Sequence, residues 1–259
     1  MAGHTLSDLS LEQFVALPSS RRQTAVMPLG SLEQHGPHLP LGTDLLCAEA
    51  LARFVADEAD AVLVPALPFT WTGSTRTYPI AINIRNQIVI NMLEVLFDAV
   101  RRAGFRRLAL VNWHGGSGAS VRAAVSEYFA RTRWPVIVLK PRGGSEARER
   151  LEPLLKGNHS EASCTLGSLI VLGHEELVEP FMQRIREASA QYELVEVTED
   201  FPMLNLIRSV GMVGHDYAHE CRHVAPTPRT DPEAGIAYLK EYARYLVAAV
   251  KALEQFEAE

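Results

Sequence analysis

The run Glu33-Gln34-His35-Gly36-Pro37-His38 sets a carboxylate and an imidazole two residues apart, directly after an apolar segment. In extended backbone side chains alternate, so Glu33 and His35 point to one side. A carboxylate and an imidazole meeting at one point are what a divalent transition ion requires. Glycines and prolines bracket the pair, so the chain must turn back sharply. Asp44 stands at the start of the next helical pattern, where a loop of this length can return it to the same point. The competing reading is a polar strand-to-helix loop in which Thr43 or Asp44 caps the helix.

A second cluster is Asn112-Trp113-His114-Gly115-Gly116-Ser117. It follows a predicted parallel strand, and ligands of open α/β sheets collect outside the carboxyl ends of strands. His114 there is a candidate ligand or general base, against a solvated loop histidine. Its glycines and the following helix could instead cradle a phosphate. The chain holds no GxxxxGK[ST] sequence and this run is not GxGxxG, so a nucleotide site is disfavoured. A third cluster, Gly157-Asn158-His159-Ser160-Glu161-Ala162-Ser163, precedes an apolar helix. Glu161 there is a ligand or proton-transfer group, or simply an acidic residue favoured by the helix dipole. His215, His219 and His223 recur every fourth residue, a zinc-compatible spacing if helical. Gly211, Gly214 and Pro226 weaken the helix, which favours a substrate-facing or subunit-facing loop.

The elements that must carry these clusters alternate. A short helix is predicted over Leu9–Leu17, then strands over Gln23–Leu29, Ala61–Pro65, Arg107–Asn112 and Val136–Leu139. Between and after them helices are predicted over Leu45–Ala59, Gln87–Ala103, Ala119–Arg131, Ser163–Leu172 and Glu233–Glu257. The third of these six helices stops at Gly104 with Arg101 and Arg102 in its last turn. Residues 66–86 read as irregular, and Pro180–Pro228 yields no clear pattern. Short apolar runs alternating with helices predict an α/β fold with a mostly parallel sheet covered on both faces.

With 259 residues, 47% of them hydrophobic, and no Gly/Ser/Pro-rich linker, one domain over residues 1–259 is expected. A formal net charge of −6 argues against a general nucleic-acid binder. Cys47, Cys164 and Cys221 form no CxxC pair and no disulfide framework, which fits a reducing, cytoplasmic setting. No signal-peptide pattern and no membrane-spanning apolar run is present, so no membrane partner is expected.

Taken together, the first two clusters resemble the creatininase family of metal-dependent amidohydrolases. Gly30-Ser31-Leu32-Glu33-Gln34-His35-Gly36-Pro37-His38 with Asp44 looks like its leading metal motif, and Asn112-Trp113-His114-Gly115-Gly116 like its second. The resemblance implies a three-layer α/β/α sandwich and a homo-oligomer, hexamer or trimer. It implies a centre of two divalent ions (Zn, Mn or Fe), with Glu33 and His114 on one, His35 on the other and Asp44 bridging. Creatininase carries a further ligand glutamate where this chain has Gly116. Glu161-Ala162-Ser163 matches a family Glu-x-Ser, so Glu161 would supply the missing carboxylate. The family histidine five residues earlier falls on Lys156, and His159 is the substitute. The family run His-x-x-Phe-Pro-Gly-Thr is here Thr75-Arg76-Thr77-Tyr78-Pro79-Ile80-Ala81, which makes creatinine itself an unlikely substrate. Trp71, Arg76, Tyr78 and Trp113 are the candidates to bind substrate.

The function implied is hydrolysis of a small polar cyclic or formylated amide by a metal-bound hydroxide, with Glu161 or His159 as proton donor. The alternatives are carbon–carbon cleavage of a cyclic keto-inositol such as 3-dehydro-scyllo-inosose, and a non-catalytic metal- or ligand-binding module on the same scaffold.

Overall fold

A computed structural model of the chain describes residues 5–21, 23–139, 145–191 and 224–254. The strands are β1 (Thr24–Leu29), β2 (Val62–Leu63), β3 (Arg107–Asn112) and β4 (Val136–Leu139). Among the described residues they form one sheet in the order β2-β1-β3-β4, and every pair is parallel. All residues of β1 and β3 are buried, as unbroken apolar runs in a doubly covered sheet require. β2 is shorter than its apolar run because Pro65 has no N–H to extend the ladder.

The helices are α1 (Leu11–Ala16), α2 (Thr43–Ala59), α3 (Asn86–Arg102), α4 (Gly118–Thr132), α5 (Ser145–Leu151), α6 (Ser160–Leu172), α7 (Val178–Gln191) and α8 (Pro232–Glu254). Strand alternation divides them between two layers. Leu108 and Leu110 of β3 pack with Leu93 and Phe97 of α3 and with Val121 of α4. Ala109 and Val111 face the other way, against Leu51 and Val55 of α2 and Tyr242 and Leu246 of α8. The result is a three-layer α/β/α arrangement.

Two features of this frame position the loops at the carboxyl edge. In the β1/β3 register Leu29 pairs with Asn112, and the Trp113 N–H donates to the Leu29 carbonyl at 3.1 Å. The loops after β1 and β3 therefore leave the sheet side by side. A Cβ at Gly235 would lie 2.0 Å from the Ser163 carbonyl oxygen, so only glycine lets α8 press so closely on the first turns of α6. That contact fixes where the N-terminus of α6 points.

Local contacts set two helix starts apart from expectation, and α5 and α7 arise where no helix was expected. α1 is confined to Leu11–Ala16 by a capping box in which Ser10 and Gln13 satisfy each other's backbone N–H groups. α6 begins at Ser160, three residues early, because His159 caps it: its Nδ1 accepts from the Ala162 N–H at 3.3 Å. α7 carries Val178, Phe181, Met182 and Ile185 at i, i+3, i+4 and i+7, a helical pattern that the sequence held within a stretch left without a clear reading. The segment holding His215, His219 and His223 lies outside the described residues. Among the described residues, no helix is long and apolar enough to cross a membrane.

Candidate metal centre

The loop after β1 folds back on itself. The Glu33 N–H donates to the Leu41 carbonyl at 3.1 Å, and Gly36 turns the chain with φ +71°. The Gln34 side chain closes that turn by accepting from the Gly36 N–H at 2.8 Å. This returns Asp44 to the first turn of α2, beside Glu33. Neither Thr43 nor Asp44 caps the helix, since Gly42 occupies the cap position without a side-chain bond. The Thr43 hydroxyl donates instead to the Pro40 carbonyl, and Asp44 Oδ2 accepts from the Ser31 hydroxyl at 2.7 Å. Asp44 is thus free to face inward.

His114 enters from the β3 loop. The Asn112 side chain holds that loop, accepting from the His114 N–H at 3.2 Å and the Ser117 hydroxyl at 3.0 Å. His114 Nε2 lies 2.8 Å from the Trp71 carbonyl, which can only accept, so Nε2 carries a proton. Nδ1 is aimed at Asp44 Oδ2, 2.7 Å away, and at Glu33 Oε1, 3.5 Å away. His35 is held the opposite way round. Its Nδ1 lies 3.3 Å from the Glu33 carbonyl, leaving Nε2 toward Asp44 Oδ1 at 3.6 Å and Glu161 Oε1 at 3.8 Å.

Two ligand-like trios result, Glu33–Asp44–His114 and His35–Asp44–Glu161, each with its donor atoms within 4.8 Å of one another. Asp44 belongs to both, one carboxylate oxygen facing each imidazole. Two atoms each about 2.1 Å from one ion stand about 3.4 Å apart in tetrahedral geometry. The 3.5–3.8 Å separations are close to that.

The buried carboxylates call for positive charge here. Glu33 and His35 are fully buried, and Asp44 and His114 are exposed by only 4% and 5%. Burying carboxylates together is unfavourable without compensating positive charge. Burial pushes the Glu33 carboxyl up. Burial also opposes charge on Asp44, but His35 and His114 outweigh it and hold its carboxyl well below the ordinary range. The imidazoles respond in kind: burial disfavours their charged forms, yet Asp44 first, then the other carboxylates, raise both to about 9. In the polypeptide alone, two imidazolium ions thus supply the positive charge that bound cations would otherwise supply.

The structure also explains Gly116. A Cβ there would sit 2.5 Å from His114 Nε2 and 3.1 Å from the Trp71 carbonyl oxygen. A glutamate at this position would displace the link that orients His114. Glu161 reaches the second trio from α6 instead, and because His159 performs the capping, the Glu161 carboxylate is released from that duty.

Glu161 and His159 open onto a cavity of about 1160 Å³, which Trp113 also lines. Trp71, Arg76 and Tyr78 do not line it. They belong to the segment around the turn Gly73–Thr75, where the Arg76 guanidinium lies over the Trp71 ring, 5.7 Å from its centroid. The Trp71 contribution is its backbone carbonyl on His114. Lys156 is exposed, in a left-handed turn with φ +50°.

Several residues escaped the sequence reading. The buried Thr75 hydroxyl lies 2.5 Å from Glu33 Oε2. Its signal was available, since Thr75 stands where the family run carries histidine. Ser31 was visible only as part of the motif. His38 is 1% exposed, with no hydrogen-bond partner for Nδ1 among the described residues. Burial, then His159 and His35, lower its imidazole to about 4, so it stays neutral.

Comparisons with known proteins bear on the family and the fold. The creatininase family model, described as creatinine amidohydrolase, matches residues 7–250. A mycofactocin precursor peptide peptidase from Mycobacterium tuberculosis is 38% identical over 127 residues, 45% of this chain and 50% of that protein. A creatinine amidohydrolase from Pseudomonas putida is 25% identical over 114 residues, 42% of this chain and 44% of that protein. The chain thus aligns with about half the length of these curated relatives. A crystal structure of creatinine amidohydrolase (creatininase) superposes with a TM-score of 0.73 at 18% identity, covering 98% of this chain and 99% of that one. At that identity the likeness concerns the fold.

Proposed function

The chain belongs to the creatininase family of metal-dependent amidohydrolases, and on that premise we propose that it hydrolyses an amide bond at a centre of two divalent cations. Glu33, Asp44 and His114 would hold one ion, and His35, Asp44 and Glu161 the other. The observation that carries this reading is the shared Asp44, whose two oxygens face two separate imidazoles inside a buried carboxylate cluster. Bound cations would lower the pKa of a shared water to about 7 and polarise the substrate carbonyl.

The chain's own groups do the rest. Thr75, Ser31 and the Trp71 carbonyl orient the ligands. In this reading Glu161 takes a proton from the attacking water. Glu161 then passes that proton to the leaving nitrogen, while His159, whose Nδ1 is engaged by the Ala162 N–H, offers its Nε2–H to the leaving group as a hydrogen bond.

The substrate reading moves toward a peptide. Drug-sized ligands occupy pockets of about 300–1,000 Å³. The cavity beside Glu161, at about 1160 Å³, is more than a small cyclic or formylated amide needs. The relatives named as peptide peptidases point the same way. A small cyclic amide is the second reading, supported by the relative named creatinine amidohydrolase. A panel of short peptides, formylated amines and cyclic amides, assayed with metal-loaded protein, tests both. Cleavage of none of them by protein holding two ions would refute the hydrolase reading.

A further inference from the structure

The cavity beside Glu161 is lined by three carboxylates, Glu149, Glu152 and Glu161, and among the described residues by a single arginine, Arg229. Despite those neighbours, the Arg229 guanidinium forms no ion pair among the described residues. Arginines without partners are common on solvated turns, but this one is not on an ordinary turn. The Arg229 carbonyl accepts from the His159 N–H at 2.7 Å, so the turn that carries this cation is bonded directly to the residue two before Glu161. The turn is stiff: Pro226 and Pro228 fix their own φ angles. The Arg229 N–H reaches the Thr227 hydroxyl at 3.3 Å, and the Thr230 hydroxyl donates to the Thr227 carbonyl at 3.2 Å. The Asp231 N–H then ties the segment to the Ser163 hydroxyl at 3.1 Å, on α6 itself.

A guanidinium fork matches a carboxylate in two parallel hydrogen bonds, and here the backbone that carries it is already held. We propose that Arg229 is the specificity-determining residue of this site, binding a free carboxylate on the amide substrate. The class selected is amides that carry a carboxylate close to the scissile bond, such as acyl amino acids and short peptides. Neutral cyclic amides are disfavoured.

This inference rests on the hydrolase reading, and one substrate pair separates the two. Metal-loaded protein is given N-acetyl-alanyl-alanine and its C-terminal carboxamide. Peptide-bond cleavage is followed by mass spectrometry, and binding of each compound by calorimetry. The expected result is a preference of about 10- to 100-fold for the acid, the range of a charged hydrogen bond, appearing mainly in KM. Arg229→Gln removes the preference for the acid over the carboxamide, leaving metal content unchanged. Arg229→Lys restores part of it, since a point charge lacks the fork. Cleavage of both compounds with equal efficiency, or a preference that survives Arg229→Gln, overturns the proposal and leaves the hydrolase reading standing. Arg229-dependent binding of the acid without cleavage does the reverse.

Discussion

Replacing Thr75 with valine deletes one hydroxyl and keeps the shape of the side chain. That hydroxyl lies 2.5 Å from Glu33 Oε2 and 2.9 Å from the Thr72 carbonyl. It has one proton, and the carboxylate is the stronger acceptor. A hydrogen bond to a charged group contributes about 1.5–3 kcal/mol. Loss of a group that orients a metal ligand typically weakens affinity by about 10- to 100-fold, or roughly 1.4–2.7 kcal/mol, so the two ranges agree. Thr75→Val should therefore weaken binding at the Glu33–Asp44–His114 trio by about 10- to 100-fold. Thr75→Ser, which restores the hydroxyl, should stay within a few-fold of wild type. Competition with a chromogenic chelator reads the affinity, and a melting curve confirms that the variant is folded. A folded Thr75→Val protein with wild-type affinity would refute the reasoning, and would mean that the hydroxyl serves the Thr72 carbonyl instead.

Three further outcomes follow from distances and charges already given. Gly116→Ala puts a methyl 2.5 Å from His114 Nε2, so it should break the bond to the Trp71 carbonyl and lower metal affinity about tenfold or more, read by the same competition. Gly235→Ala must part α8 from α6, because its Cβ would meet the Ser163 carbonyl at 2.0 Å; a loss of about 1–3 kcal/mol should appear in denaturant unfolding, with the Glu161 trio losing its ion first. The pH dependence has a definite sign. With the His35 and His114 imidazoles raised from 6.5 to about 9, their contribution to the metal-free protein is fully present below about pH 6.5 and lost as pH rises through about 9. The melting temperature of chelator-treated protein should fall across that window, while metal affinity rises, since uptake displaces the imidazole protons. A flat melting profile between those values would contradict the charge assignment.

Much of this arrangement was legible in the chain. The bounds of β3 and β4 follow from their apolar runs, and the alternation of Leu108, Ala109, Leu110 and Val111 foretells helices on both faces. The convergence of Glu33, His35 and Asp44 is readable from their spacing after β1, and their meeting with His114 is what the family resemblance implies. What is not readable depends on contacts distant in sequence. That Trp71 orients His114 follows from a backbone carbonyl, which leaves no mark on residue type. The route of residues 66–86 decides that Trp71 and Arg76 stack on each other, away from the cavity beside Glu161, and no periodicity encodes that route. Gly116 is instructive in the other direction. In the sequence it is a missing carboxylate; in the structure it is the space that the His114 ring requires.

The central claim is that one buried aspartate joins two ions. Metal content per chain, measured by plasma mass spectrometry on protein purified without chelator, tests it most directly when wild type and Asp44→Ala are compared. The expected result is two ions per wild-type chain and loss of both in the folded variant. Wild-type protein holding no ion, or an Asp44→Ala protein that keeps both, would contradict it.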